Sequence, residues 1–269
     1  MDEHEIAMVS TLSLANVSNK IVQLNMNKTI TVLALLISFS LSSIAQNNFK
    51  QNHNFGLALS YAPKEVNLSL SWKQMHGVAA NNKFKMGYGL RYNGYLNNDK
   101  FYITAPARLT SGEVGPQVLF VENIEANIDT FSVKNAQHNS INAVIYLEYD
   151  FSDKWGVGFN IDAAGIAFGS SREGKMISSN RPTTSSETVV AKPTPYNVLL
   201  ISDNDIGMLN SELYATYNVN KKLSVNAGFT FLFTEYTTEQ KISYNENNDR
   251  FRYKSLMGML SVNFKPFNN

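Results

Sequence analysis

Two groups of residues in this sequence are of types that could do chemistry. The first is His138-Asn139-Ser140 with Glu148 a few positions on. Imidazole, hydroxyl and carboxylate are the parts of a serine-hydrolase site, in which a base takes the nucleophile's proton and a third group orients the base. The second is a set of ionisable side chains, Lys73, Lys85, Arg91, Glu148, Asp150, Asp162 and Glu212. If they share one confined interior, three cations and four anions must pair or stay solvated. That makes either a rigid plug of ion pairs or a narrow path for ions. Other chemistry finds little support. His4, His53, His76 and His138 have no metal-ligand spacing, and His53 and His76 are expected at opposite strand ends. There is no cysteine for a thiolate site or a disulfide, and no glycine-rich phosphate loop. No metal or cofactor is expected.

The elements that must position these residues are strands. In Phe84–Leu96, Phe84, Met86, Tyr88, Leu90 and Tyr92 alternate with Lys85, Gly87, Gly89, Arg91 and Asn93. Side chains of a strand point to opposite faces in turn, so large apolar groups share one face and small or charged groups the other. The stretch 140–151 repeats the pattern, with Ile141, Ala143, Ile145, Leu147, Tyr149 and Phe151 opposite Asn142, Val144, Tyr146, Glu148 and Asp150. After Ser152-Asp153-Lys154, Trp155, Val157, Phe159, Ile161 and Ala163 alternate with Gly156, Gly158, Asn160 and Asp162. Further strands are read over 54–61, 65–72, 209–219, 223–233 and 255–264. Several exceed the five or six residues usual in soluble sheets.

The N-terminal region carries an export signal. Lys28, the apolar stretch 30–41 and Ser43-Ile44-Ala45 are the charged, apolar and small-residue parts of a secretory signal peptide over 26–45. Residues 1–25 read as an over-extended, unstructured N-terminus, with translation starting at Met26. Fold reasoning then begins near Gln46. Net charge is +1, which offers nothing to a nucleic acid. Aromatic residues make up 12% of the chain, with no apolar run of about 20 residues for a membrane helix.

An exported chain of long alternating strands points to an all-β fold: an eight-stranded antiparallel up-and-down transmembrane β-barrel over 46–269, with ten strands the alternative if 117–123 and 127–133 pair as a hairpin. The connections alternate between tight turns and long loops at 97–138 and 170–205, which suits short turns on one side of the membrane and long loops on the other. Tyr149, Phe151, Trp155, Tyr217 and Phe264 all lie near the tight turns or the C-terminus, as an interfacial aromatic girdle would.

On these strands and on the ending Phe264-Lys265-Pro266-Phe267, the chain resembles the small outer-membrane barrels of the OmpA/OmpX-like and OmpW-like kinds, and in particular the barrel-only proteins of Bacteroidota-type bacteria. The resemblance covers about 46–269 and rests on pattern, not on a diagnostic motif. It implies integral residence in the bacterial outer membrane, contact with its lipid, and recognition of the aromatic last strand by the barrel-assembly machinery. No peptidoglycan-binding domain is expected after Asn269, and a monomer is expected. His138 and Ser140 also resemble the first part of the His-x-Ser-Asn motif of the lipid A 3-O-deacylases. Ile141 stands where that motif has Asn, Glu148 follows too soon, and alternation turns His138 and Ser140 inward. The function expected is therefore non-catalytic: a structural barrel, or one that binds a surface ligand or partner protein through loops 97–138 and 170–205. A narrow pore or a conduit for small lipophilic solutes is the alternative.

Overall fold

A computed structural model of the chain describes residues 52–78, 82–177, 187–200, 202–239, 241 and 248–266. The signal peptide expected over 26–45, the segment 1–25 and His4 lie outside the described residues. Among the described residues, eleven strands form one antiparallel sheet: β1 (Asn52–Ala62), β2 (Glu65–Gly77), β3 (Phe84–Thr104), β4 (Thr130–Asp150), β5 (Trp155–Phe168), β6 (Arg172–Ile177), β7 (Thr188–Pro193), β8 (Tyr196–Val198), β9 (Leu209–Asn218), β10 (Leu223–Thr238) and β11 (Arg250–Phe264). Eight of them close a ring in the order β1-β2-β3-β4-β5-β9-β10-β11, sealed where Phe55–Tyr61 of β1 pairs with Gly258–Phe264 of β11. Closure leaves the ring without an edge strand, the condition for a sheet to span lipid.

The alternation read from sequence sorts the side chains of this ring. Leu59, Leu70, Leu90, Ile145, Phe229 and Leu260 lie exposed on the outside, whereas Arg91, Asn142, Asp162 and Asn210 are buried inside. The outside is an apolar belt and the inside is polar, the arrangement that suits a barrel dissolved in hydrocarbon. Tyr149, Phe151, Trp155, Tyr217 and Phe264 stand exposed at the end that carries the tight turns and both termini of the ring. Trp155 and Tyr217 are register partners with ring centroids 4.9 Å apart.

At the opposite end the wall changes. β1 and β2 stop at the Pro63-Lys64 turn, where Lys64 adopts a left-handed φ of 65°. Over that turn β3 reaches across to β11, pairing Thr104 with Phe251 and Ile103 with Arg252. On the far side β4 leaves β5 and pairs with β6, β6 with β7, and β7 with β10. The strands β3, β4, β6, β7, β10 and β11 thus form a second, six-stranded ring on top of the first. Here polarity is reversed. Tyr102, Phe131, Val133, Met176, Val189, Ala191, Tyr236 and Phe251 make a buried apolar core inside. Lys134, Lys175, Lys192 and Lys254 face outward in exposed positions. The phase shifts where Asn98-Asp99 and the facing Lys134-Asn135 are exposed in succession on both strands. Gly174 provides the seat for Phe131, since a Cβ there would lie 2.4 Å from that ring.

The structure differs from three sequence expectations. The segment 97–138 is not one loop: β3 runs on to Thr104 and β4 begins at Thr130. Within 170–205, β6, β7 and β8 form. The hairpin proposed within 117–133 does not exist, because Pro116–Phe120 is a 3-10 turn and Phe131–Val133 belongs to β4. The additional hairpin is β6–β7.

The belt makes a direct prediction. Leu260 is exposed outside near mid-belt, paired with Leu59 and Ala227. Leu260→Arg is expected to cost about 2–4 kcal/mol of stability in a lipid bilayer, read as an earlier urea midpoint. Lys254→Arg, on the upper ring, should leave the midpoint in place.

Candidate functional site

The inward residues of the ring form stacked polar layers. Nearest the tight turns, Lys85 of β3 pairs with Asp150 of β4. One layer up, Lys73 of β2 pairs with Glu148 of β4, and the Tyr214 hydroxyl donates to Glu148 Oε1 at 2.9 Å. Tyr214 reaches that position because Gly158 faces it: a Cβ on Gly158 would lie 2.4 Å from the tyrosine ring. Lys265, just past β11, adds a cation to this mouth and donates to Asn218 Oδ1 at 3.2 Å. Burial depresses the Lys265 ammonium, opposed by its attraction to Glu148.

The middle layer is built on Arg91. Its Nε and Nη2 donate to Asp162 Oδ1 at 3.0 and 2.6 Å, and Nη2 also donates to the Asn210 carbonyl at 2.6 Å. Nη1 donates to Asn160 Oδ1 at 2.7 Å and lies 3.1 Å from Glu212 Oε2. The second oxygen of Asp162 accepts from Asn142 Nδ2 at 2.6 Å and from the Asn210 backbone N–H at 2.9 Å. Asn160 Nδ2 donates to Glu212 Oε2 at 2.7 Å. Burying charge is costly unless it is paired and hydrogen-bonded, and this layer supplies both conditions. The seven inward charges therefore sit in three groups, Lys85–Asp150, Lys73–Glu148 and Arg91–Asp162–Glu212. A cavity lined by Lys73, Arg91, Tyr146, Glu212 and Tyr214, among others, measures about 20 Å³, room for roughly one water.

Above these layers lies a knot that alternation alone did not single out. Glu65, the first residue of β2, accepts from the Tyr95 hydroxyl at 2.7 Å, the Tyr253 hydroxyl at 2.8 Å, Lys100 and Ser255. Its donors come from β3 and β11, the two strands that meet over the Pro63-Lys64 turn. On top of the knot, His138 is fully buried among aromatic rings, 4.3 Å from Tyr236, 6.0 Å from Tyr102 and 6.4 Å from Tyr95. The apolar core of the upper ring continues from there.

A second missed cluster lies outside the upper ring. Glu235 of β10 faces outward, yet it is fully buried beneath the segment 202–206. It receives Arg250 Nε at 2.6 Å and Arg252 Nη2 at 3.1 Å, while Lys254 pairs with Asp203. Both arginines also donate to the Asp205 carbonyl. Burial raises the Asp205 carboxyl above the usual range. The only sequence signal for this cluster was the alternation of Arg250, Arg252 and Lys254 on one face.

The hydrolase residues are not brought together. Ser140 Oγ accepts from Asn93 Nδ2 at 3.2 Å and Asn142 Nδ2 at 3.3 Å, His138 sits in its aromatic cage, and Glu148 is held by Lys73 and Tyr214. The register Asn52↔Met75 also corrects the placement of two histidines: His53 and His76 lie at the same end of the β1–β2 pair. They join an outward aromatic cluster, with Trp72 Nε1 donating to His53 Nδ1 at 3.2 Å and His76 stacked on Tyr88 at 6.0 Å. Among the described residues, no three His, Asp or Glu side chains could hold a metal ion.

No protein-family model matches the chain, and no curated protein matches it. Among solved structures it is similar to Neisserial surface protein A, at 10% identity and a TM-score of 0.32 over 80% of this chain and 94% of that one. It is also similar to the CymD monoaromatic hydrocarbon channel, at 9% identity and 0.21 over 82% and 90%. A third likeness is to the Pseudomonas putida toluene transporter TodX, at 9% identity and 0.22 over 81% and 90%.

The Arg91 layer yields the next prediction. Arg91→Met strands buried Asp162 and Glu212, and a loss of about 3–5 kcal/mol is expected. Arg91→Met combined with Asp162→Asn and Glu212→Gln should recover most of that loss. Urea unfolding followed by the heat-dependent gel shift of folded barrels reads both variants.

Proposed function

We propose that the protein is a non-catalytic barrel of the bacterial outer membrane, closed to solutes, that anchors a rigid outer tower used for binding at the cell surface. The observation that carries this reading is the sequence of closures along the axis: the paired charges, the Glu65 knot and the aromatic core of the upper ring. A narrow pore would need a continuous path through all three, and the cavity beside Arg91 in the polar layers holds only about 20 Å³. The apolar belt supports residence in a membrane. The secretory signal read at 26–45 and the closed sheet support the outer membrane in particular, since export followed by barrel assembly is the route of such proteins. An aromatic Phe264 ending the last strand suits recognition by the assembly machinery. Sealing of β1 to β11 within one chain suits a monomer.

The binding surface is assigned to the segments that join β3 to β4 and β5 to β9. The first of these exposes Val114, Phe120, Val121 and Ile124, and Phe120 is 89% accessible. Clustered exposed apolar side chains on an outer segment mark a contact surface. Asn204 Nδ2 donates to the Gly115 carbonyl at 3.4 Å, which ties the two segments to each other.

The test is single-channel recording of the folded protein in a planar bilayer. A silent bilayer is expected, with the heat-dependent gel shift confirming the fold. Steady conductance steps that change with Glu148→Lys would overturn the closed-barrel reading and install the pore. Phe120→Ala should leave both fold and silence intact while weakening capture of a surface ligand.

A further inference from the structure

We infer that a groove on the outside of the wall, at the level where the two rings meet, is a binding site for an anionic lipid of the surrounding bilayer. The groove is about 450 Å³ and runs over β2, β3 and β4 to the start of β6. Its floor is Tyr61, Val66 and Leu96, aligned side by side because Val66 is the register partner of both others. Its upper rim carries Asn98, Asn135, Lys64 and Arg172, and Glu65 also lines it, with its carboxylate taken up by Tyr95, Lys100, Tyr253 and Ser255. Apolar floor and polar, cationic rim are the two halves of a site for an amphiphile.

Height along the wall says which amphiphile is at hand. Leu96 lies twelve residues up β3 from Phe84, which pairs with Tyr149 of the aromatic girdle. At about 3.3 Å per residue and a tilt of roughly 35–45°, that is a rise of about 30 Å, just past an apolar belt of about 25 Å. The floor therefore meets acyl chains and the rim meets headgroups of the leaflet on the tower side.

The rim also holds an unmet donor. Arg172 Nη2 donates to Gln137 Oε1 at 3.2 Å, but its buried Nε has no hydrogen-bond partner. Arg172 sits where the ladder along β4 is interrupted, between Val133, which pairs with β6, and Asn139, which pairs with β5. Gln137 of β4 and the Tyr236 hydroxyl of β10 are the strand groups that meet its guanidinium, and neither satisfies Nε. Lys64 is tied to Asp99 at 3.3 Å in an exposed pair, and such pairs are weak enough to yield to a phosphate. A phosphodiester placed over the rim meets a guanidinium donor and an ammonium while its chains lie on Tyr61, Val66 and Leu96. Arginine is the side chain best suited to that anion.

Native mass spectrometry of the folded protein in detergent tests this, with dioleoyl phosphatidylglycerol and dioleoyl phosphatidylcholine added in equal amounts. One phosphatidylglycerol per chain is expected to be retained about tenfold over phosphatidylcholine, the worth of one charge-assisted contact. Arg172→Ala should remove that preference, and Leu96→Glu should abolish retention of both lipids. Lys154→Ala, an exposed cation in the tight turn at the opposite end of the barrel, should change nothing. If Arg172→Ala fails the gel shift, Arg172→Gln takes its place. Equal retention of the two lipids, an unchanged preference in the Arg172 variant, or displacement of the lipid by excess inorganic phosphate would each overturn the proposal. None of these readings depends on whether the barrel conducts.

Discussion

Everything in this molecule depends on one constraint: backbone amides facing hydrocarbon must find their partners within the sheet. An open sheet would leave two unpaired edges in lipid. The pairing of β1 with β11 removes them, and the rest follows. Once the wall is closed, each residue is either inside or outside, and alternation decides which. The interior of eight strands is narrow enough to be filled by side chains. Tyr214 over Gly158 and Arg91 among its carboxylates show how it is filled, with large groups seated on glycines and charges seated on each other.

The same strands cross two solvents. In the lower ring the outer face meets hydrocarbon and the inner face is polar. In the upper ring the outer face meets water and the inner face is a core of tyrosine, phenylalanine and small aliphatics. No hinge or linker separates the two zones, because β3, β4, β10 and β11 run through both. The change of solvent is accommodated by a shift of side-chain phase at Asn98-Asp99 and Lys134-Asn135, and by the loss of β1 and β2 at the Pro63-Lys64 turn. Glu65 stands at this boundary with donors from β3 and β11, a polar clasp between a charged lumen and an apolar core.

How far the sequence could be read follows from the same physics. The lower ring was legible: the strands, the inward charges and the outward aromatics all lie where alternation put them, since one solvent pattern holds from Phe84 to Tyr95 and from Ser140 to Asp150. Reading stopped where that pattern stopped. Tyr102, Phe131 and Tyr236 face inward and Arg250 and Arg252 outward, the reverse of the barrel rule, so these stretches passed for loop. The paired phase shifts hid the continuity further. The Arg91 pairing needed three-dimensional register, because Asp162 and Glu212 come from strands separated in sequence by the whole β6–β8 excursion. His53 and His76 were misplaced for a simpler reason: hairpin partners meet at the ends away from their turn.

The ladder lengths around the ring are unequal, and this has a mechanical consequence. β3 and β4 share nineteen register pairs and β10 and β11 share fifteen, but β1 with β11 and β5 with β9 share only seven each. Lateral tension in the wall, whether from a curved membrane or from a pull on the tower, concentrates at these two shortest ladders of the lower ring. The long strands that carry the tower are the stiff staves of the cask, and these two seams are the joints at which it would first be sprung.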